Sequence, residues 1–171
     1  MNEPPKFAPY HRPGDGVPDP AKLRALADGY FGLSWVFLVN VLLVVPLNLL
    51  MMGDPMSEEA AVAKGMQSLI AIGVIFVVIT LLSYRCNKRI AEGMDWSPAA
   101  GIAASILMGI NSALCCGVVG YAIMQSIASN KMRNVYRMKL GMFAGKKMVN
   151  ARIAELEAQR AAGPAAPTFT L

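Results

Sequence analysis

Three long stretches without a charged residue limit what this chain can fold into. They cover residues 29–53, 65–84 and 96–130 and are 25, 20 and 35 residues long. An α-helix rises about 1.5 Å per residue, so about 20 apolar residues cross a hydrocarbon core of ~30 Å. Residues 36–45 and 69–82 would form helices without a polar face, which a small soluble bundle cannot bury. The sequence therefore predicts an all-α, small polytopic helical membrane protein.

The first two stretches each predict one transmembrane helix, over residues 30–52 and 66–84. Trp35 lies near the start of the first, where amphipathic aromatic rings favour the membrane interface. Residues 1–28 are rich in proline at their beginning, which predicts a disordered tail and then a short helix on the membrane surface. Residues 161–171 contain Gly and Pro among small residues and predict a second flexible tail.

The third stretch, taken as residues 97–130, admits two geometries. A single helix would be about 50 Å long and would overshoot the bilayer, whereas a hairpin would break near Asn111 and Ser112. Basic residues near membrane segments prefer the cytoplasmic side. With three spans and the N-terminus inside, five basic residues lie inside and seven outside; with a hairpin, eleven lie inside and one outside. The sequence favours the hairpin, in a multi-pass protein of the plasma or inner membrane with a cytoplasmic N-terminus.

Small residues recur at every fourth position along this third stretch. They are Gly101, Ser105, Gly109, Ala113 and Gly117. Membrane helices approach one another closely where their side chains are small, so this set predicts a helix-packing face. Asn40 and Asn111 lie within apolar runs and join the same prediction, because an amide in hydrocarbon seeks a partner on a neighbouring helix.

Three features of residues 97–133 occur together: the run Gly101 to Leu107 (GIAASIL), the Cys115-Cys116-Gly117 sequence, and a basic end at Lys131 and Arg133. With these features the segment resembles the membrane hairpins of dispanin-type proteins. The resemblance implies a hairpin and carries over no function. The two further spans that precede it here depart from the dispanin pattern.

After Asn130 the chain is basic and has no acidic residue until Glu155. Apolar residues at near-helical spacing alternate with basic ones, and Arg152 falls on the polar side. This pattern predicts a basic amphipathic helix over residues 131–160 at the interface with anionic lipids, divided by Gly141 and Gly145. The predicted head-group contacts are Lys131, Arg133, Arg137, Lys139, Lys146 and Lys147.

Residues that carry catalysis or bind metals are scarce. The one histidine, His11, lies in the N-terminal tail, and the three apolar stretches contain no Asp, Glu, Lys, Arg or His. Proton relays and coupled transporters place such residues within the membrane. The three cysteines have no zinc-binding spacing, and no basic patch carries the aromatic residues typical of nucleic-acid binding. We therefore predict no enzyme activity, no cofactor or metal site, and no nucleic-acid partner.

Two functional hypotheses remain. The first is a non-enzymatic accessory or assembly protein, whose partners are the lipid bilayer, anionic lipids, and other membrane subunits or a second copy of itself. The second is an oligomeric channel or facilitator, which asparagines and small residues would line. The first is favoured because the apolar stretches lack the charged residues that ion pathways use.

Overall fold

In the residues that this computed structural model describes, five helices account for the regular structure. They are α1 (Pro20–Met51), α2 (Glu58–Met94), α3 (Pro98–Cys115), α4 (Val118–Tyr136) and α5 (Lys146–Ala161). The structure describes residues 17–51, 57–115, 117–138 and 145–162, and every regular element in these ranges is helical. The predicted all-α class is therefore confirmed. The tails predicted before residue 17 and after residue 162 lie outside the described residues.

Helix α2 extends well beyond the apolar residues 66–84 at both ends. At its start, Ser57 is extended with φ −148°, and its side chain accepts a hydrogen bond from the N–H of the third helical residue at 3.2 Å. At its end, Asp95 has φ 62°, and the N–H of Trp96 donates to the Ala91 carbonyl at 2.9 Å. These hydrogen bonds satisfy backbone groups at the two ends of α2, which lie in polar parts of the sequence. The length of an apolar run therefore predicts a candidate membrane span, and the helix that contains it is longer.

Helix α1 is continuous where the sequence predicted a short surface helix followed by a span over 30–52. The carboxylate of Asp19 accepts a hydrogen bond from a backbone N–H of its first turn at 3.1 Å. The short helix was expected on the membrane surface, but its Leu23 and Leu26 side chains are fully buried in the structure. Because other helices of this chain cover them, the first turns of α1 belong to the protein core.

The first four helices alternate in direction. Early α1 contacts late α2, as Gly29 does with Ile90. Helix α3 begins soon after α2 ends and packs back along it. Tyr136 is the last residue of α4, and its hydroxyl donates a hydrogen bond of 3.2 Å to the carbonyl of Asp19, which directly precedes α1. Helices α1 and α3 therefore run one way, and α2 and α4 run the other.

The third apolar stretch forms a hairpin of two antiparallel helices. Its turn lies between Cys115 and Val118, later than the break predicted near Asn111 and Ser112. Gly117 has φ 75°, a conformation that glycine adopts without steric cost, and its N–H donates to the Asn111 carbonyl at 3.2 Å. The chain therefore turns where it has a glycine, and not where polar residues interrupt the apolar run.

The basic segment after residue 130 forms no single helix. Residues 131–136 continue α4, which ends at Arg137 with φ 55°, and α5 begins only after Gly145. Helix α5 then runs antiparallel to α1, with Lys146 near Phe31 and Arg160 near the start of α1. The predicted break at Gly141 lies outside the described residues.

Candidate functional site

Large apolar side chains are exposed around the part of the bundle that contains the α3–α4 turn. On α1 they begin at Trp35, which is 70% exposed, and on α4 they end at Ile123, which is 53% exposed. Soluble monomers rarely expose an apolar patch that covers four helices. We call this surface the apolar belt; its members are Trp35, Leu38, Leu42, Leu43, Val45, Leu49, Val62, Met66, Leu69, Ile70, Val74, Val77, Leu81, Leu82, Tyr84, Ile102, Ile106, Leu107, Ile110, Leu114, Val118, Val119 and Ile123.

Two helices of the belt are long and apolar enough to cross a membrane: residues 20–47 of α1, and α2. In their most apolar stretches only 22% and 11% of the residues are buried. The apolar core helix of a soluble protein is mostly buried, so these two helices do not fit that description. Helix α3 is also apolar but shorter.

The opposite part of the bundle is built differently. We call it the charged end; it comprises residues 17–30, 85–98, 127–138 and 145–162. Its interior is a compact apolar core, in which Leu26, Met132 and Leu156 are fully buried. Salt bridges lie on its surface: Lys22 to Asp95 at 2.5 Å, Arg24 to Glu157 at 3.3 Å, and Arg160 to Asp19 at 3.2 Å. The chain therefore combines a soluble-type core with an exposed apolar belt.

Charges and burial change the titration of two groups at the charged end. The hydrogen bond from Lys22 lowers the pKa of Asp95, which stays ionised and paired at neutral pH. Burial, with the negative charges of Asp19 and Asp95, raises the pKa of Tyr136 to about 12. Because its folded pKa lies above 10.0, Tyr136 contributes stability that is complete below pH 10 and lost as pH rises towards 12.

Five of the six residues predicted to contact lipid head groups are described by the structure, and these five lie at the charged end. Arg133, Arg137, Lys146 and Lys147 are exposed, and Lys131 is half-buried. Lys139 lies outside the described residues. These side chains come from α4, α5 and the segment between them. The lipid contact itself stays a prediction.

Helix α5 does not offer its apolar face to lipid. Val149, Ile153 and Leu156 are at most 4% exposed and belong to the core that contains Leu23 and Leu26. Arg152, which the sequence placed on the polar side, is fully buried. The segment was predicted to lie flat at the interface, but in the structure its apolar residues meet α1 because α1 presents a complementary apolar surface there.

The stripe of small residues lies inside the protein. Ser105 is buried and accepts a hydrogen bond from Asn87 of α2 at 3.1 Å. A β-carbon added at Gly101 would lie 3.1 Å from the Lys88 backbone, and one at Gly109 would lie 3.0 Å from the carbonyl of Phe76. These three positions of α3 therefore face α2. Ala113 is half-buried, and Gly117 forms the α3–α4 turn.

Asn40 and Asn111, the other predicted packing residues, lie near the α3–α4 turn. Asn40 is fully buried, and its amide nitrogen is 2.7 Å from the position of a β-carbon at Gly117. Asn111 is half-buried beside Gly120. Both amides thus lie close to the hairpin turn, and hydrogen bonding between helices through them stays a prediction. The channel hypothesis uses the same residues and stays a prediction.

Three glycines that hold α1 against α2 were missed by the sequence analysis. Gly29 and Gly32 of α1 lie against Cys86 of α2, and Gly93 of α2 lies against the Lys22 carbonyl. The spacing of Gly29 and Gly32 by three residues places them on one helix face. That spacing could have indicated a helix contact at Gly29 and Gly32. Gly93 lies in a polar segment, and nothing in the sequence around it indicates a contact.

Among the described residues, no group of three or more His, Cys, Asp or Glu side chains could hold a metal ion. Cys86 is a half-buried free thiol between α1 and α2. No protein-family model, curated protein or solved structure matches this chain. What the chain does is therefore inferred from the apolar belt, the charged end and the contacts between helices.

Proposed function

We propose that this chain is a non-enzymatic integral membrane protein that assembles with other membrane subunits. The apolar belt supports this proposal best. An exposed apolar surface is unfavourable in water, but not in contact with lipid tails or partner helices. The charged end then lies on the cytoplasmic face of a plasma or inner membrane. Its exposed basic residues contact anionic head groups there.

The dimensions of α2 fit a bilayer. Its charge-free exposed part runs from Met66 to Tyr84, which are 19 residues and about 28 Å of helix. Lys64 is the one basic residue of α2 before this stretch, whereas Arg85, Lys88 and Arg89 follow it. This excess of basic residues on the cytoplasmic side agrees with the usual charge bias of membrane proteins.

The α3–α4 hairpin enters the membrane and returns to the same side. Its turn at Gly117 lies beside Asn40, in the middle of the apolar run of α1, and Gly109 lies beside Phe76. Helix α1 continues past Asn40 for 11 further residues to Met51, which is about 16 Å. We therefore place the hairpin turn within the bilayer, where Gly117 is buried against Asn40 and Tyr121.

This geometry leaves the outer half of the membrane domain to α1 and α2 alone. From residue 57 to residue 70, every residue is exposed or half-exposed. An open groove on α2 is lined by Ile70, Val74, Val77 and Val78, with Gly73 at its base, and no atom lies within 4 Å of a β-carbon placed at Gly73. A small residue in an open groove permits close approach of another helix. The groove is therefore the proposed contact for a partner subunit.

The membrane topology can be tested with side-specific reporters. We expect reporters fused at the N-terminus and after Leu171 to report the cytoplasm, and a reporter inserted after Ser57 to report the opposite side. The full chain should also enter the detergent phase on partitioning. A C-terminal reporter on the side opposite the N-terminus would contradict the hairpin, and recovery in the aqueous phase would contradict membrane insertion.

The assembly itself can be tested by a photo-crosslinking residue placed at Gly73 in living cells. We expect an adduct of discrete mass, either with another membrane subunit or with a second copy of this chain. The same residue at Ala158, which is exposed on α5 outside the belt, is the matched control and should give no such adduct. Lipid adducts alone at position 73 would show that bilayer, and not protein, covers the groove.

A further inference from the structure

A crevice between α1 and α5 lies next to the edge of the apolar belt. It is small and opens directly to solvent. Its polar and aromatic lining is Arg24, Asp28, Phe31, Lys146 and Asn150. The crevice therefore brings two cations, an anion, an amide and a ring into one small space at the surface.

Asp28 and Lys146, two residues of opposite charge in this crevice, do not form a salt bridge with each other. Neither Asp28 nor Lys146 forms a salt bridge with any residue that the structure describes. Lys146 places its ammonium 6.0 Å from the centroid of the Phe31 ring, while Arg24 pairs with Glu157 at 3.3 Å. A ligand that carries both a negative and a positive group would satisfy Asp28 and Lys146 together.

The crevice lies at the depth of a lipid head group, provided that the proposed membrane insertion is correct. Phe31 lies one turn before Trp35, the first exposed member of the belt on α1. Tryptophan side chains favour the interface between head groups and hydrocarbon. A head group bound at Phe31 would therefore have its acyl chains along the belt.

We propose that this crevice binds the phosphoethanolamine head group of a membrane lipid. Lys146 and the amide of Asn150 contact the phosphate, and Asp28 accepts hydrogen bonds from the primary ammonium. A choline head group cannot donate such hydrogen bonds, because its nitrogen carries no hydrogen. A purely anionic head group would leave Asp28 facing a negative charge.

The test measures lipid retained by the purified full-length chain. The protein is exchanged into detergent with equal amounts of phosphatidylethanolamine, phosphatidylcholine and phosphatidylglycerol of the same acyl chains, and bound lipid is counted by native mass spectrometry. We expect phosphatidylethanolamine to predominate. Asp28→Asn and Lys146→Gln should each reduce its retention about fivefold, the effect of losing one partly exposed ionic contact.

Arg160→Gln is the matched control, since Arg160 is exposed on the same helix, does not line the crevice and is not among the predicted head-group contacts. It should retain the lipid like the wild type. Equal retention of the three lipids, preference for phosphatidylglycerol, or equal effects of Lys146→Gln and Arg160→Gln would overturn the proposal. If detergent partitioning shows that the chain is not membrane-inserted, short-chain phosphatidylethanolamine in solution still tests the crevice, so the two failures are distinguishable.

Discussion

Gly29→Ala should lower the free energy of unfolding by about 2 kcal/mol, although alanine is the better helix former. A β-carbon at this position would lie 2.7 Å from the Cys86 carbonyl oxygen and 3.1 Å from the backbone nitrogen of Ile90. Both atoms belong to the backbone of α2 and cannot rotate away as a side chain can. Helices α1 and α2 must therefore separate where the charged end meets the belt. Reversible unfolding in mixed detergent micelles measures the loss.

The control for this substitution is Gly73→Ala on α2. No atom lies within 4 Å of a β-carbon at Gly73, so alanine meets nothing there and restricts only the unfolded chain. We expect it to leave stability unchanged or to raise it by up to about 1 kcal/mol. Equal effects of the two substitutions would show that α1 and α2 are not in close contact at Gly29.

Arg152→Ala should lower the free energy of unfolding by about 3 kcal/mol and loosen α5 from α1. Arg152 is fully buried, its Nε donates to the Tyr136 carbonyl at 3.1 Å, and its guanidinium pairs with Glu155 at 2.7 Å. Alanine would leave that carbonyl without this donor, Glu155 without its cation, and a cavity beneath α5. Hydrogen exchange should accelerate across residues 146–161 and in the first turns of α1, which α5 covers.

The matched control is Arg160→Ala on the same helix. Arg160 pairs with Asp19 at 3.2 Å, but its side chain is 46% exposed. Exposed ion pairs contribute at most about 1 kcal/mol, so α5 should stay protected from exchange. If Arg152→Ala also leaves exchange in α5 unchanged, the apolar contacts alone hold this helix, and the assigned role of Arg152 is wrong.

The helical class and the two long apolar helices could be predicted because both follow from local composition. A charge-free run of 20 residues or more is long enough for a membrane span wherever it occurs. The hairpin was also favoured by a local property, the position of basic residues relative to apolar ones. The turn lies about five residues after the predicted position, because the backbone freedom of Gly117 decides it and the polarity near Asn111 does not.

The contacts between helices could not be predicted in the same way. Gly93 packs against the backbone of Lys22, yet both residues lie in polar sequence that looks solvent-exposed. Arg152 illustrates the same limit, since helical periodicity places a basic residue on the outer face by default. Burial of this guanidinium becomes favourable at the neighbouring end of α4, where Arg137 is left-handed and the Tyr136 carbonyl accepts the hydrogen bond from Arg152.

Asp19 has a consequence for how this chain is synthesised. The residue caps α1, accepts a hydrogen bond from Tyr136 and pairs with Arg160, which are 117 and 141 positions further along the chain. Helix α1 is therefore covered by α5, which is synthesised long after it. Until α5 has emerged, Leu23 and Leu26 have no complete cover, so a ribosome that stops before α5 releases a chain with exposed leucines in α1. We expect chaperones or proteases to recognise such a chain by these leucines.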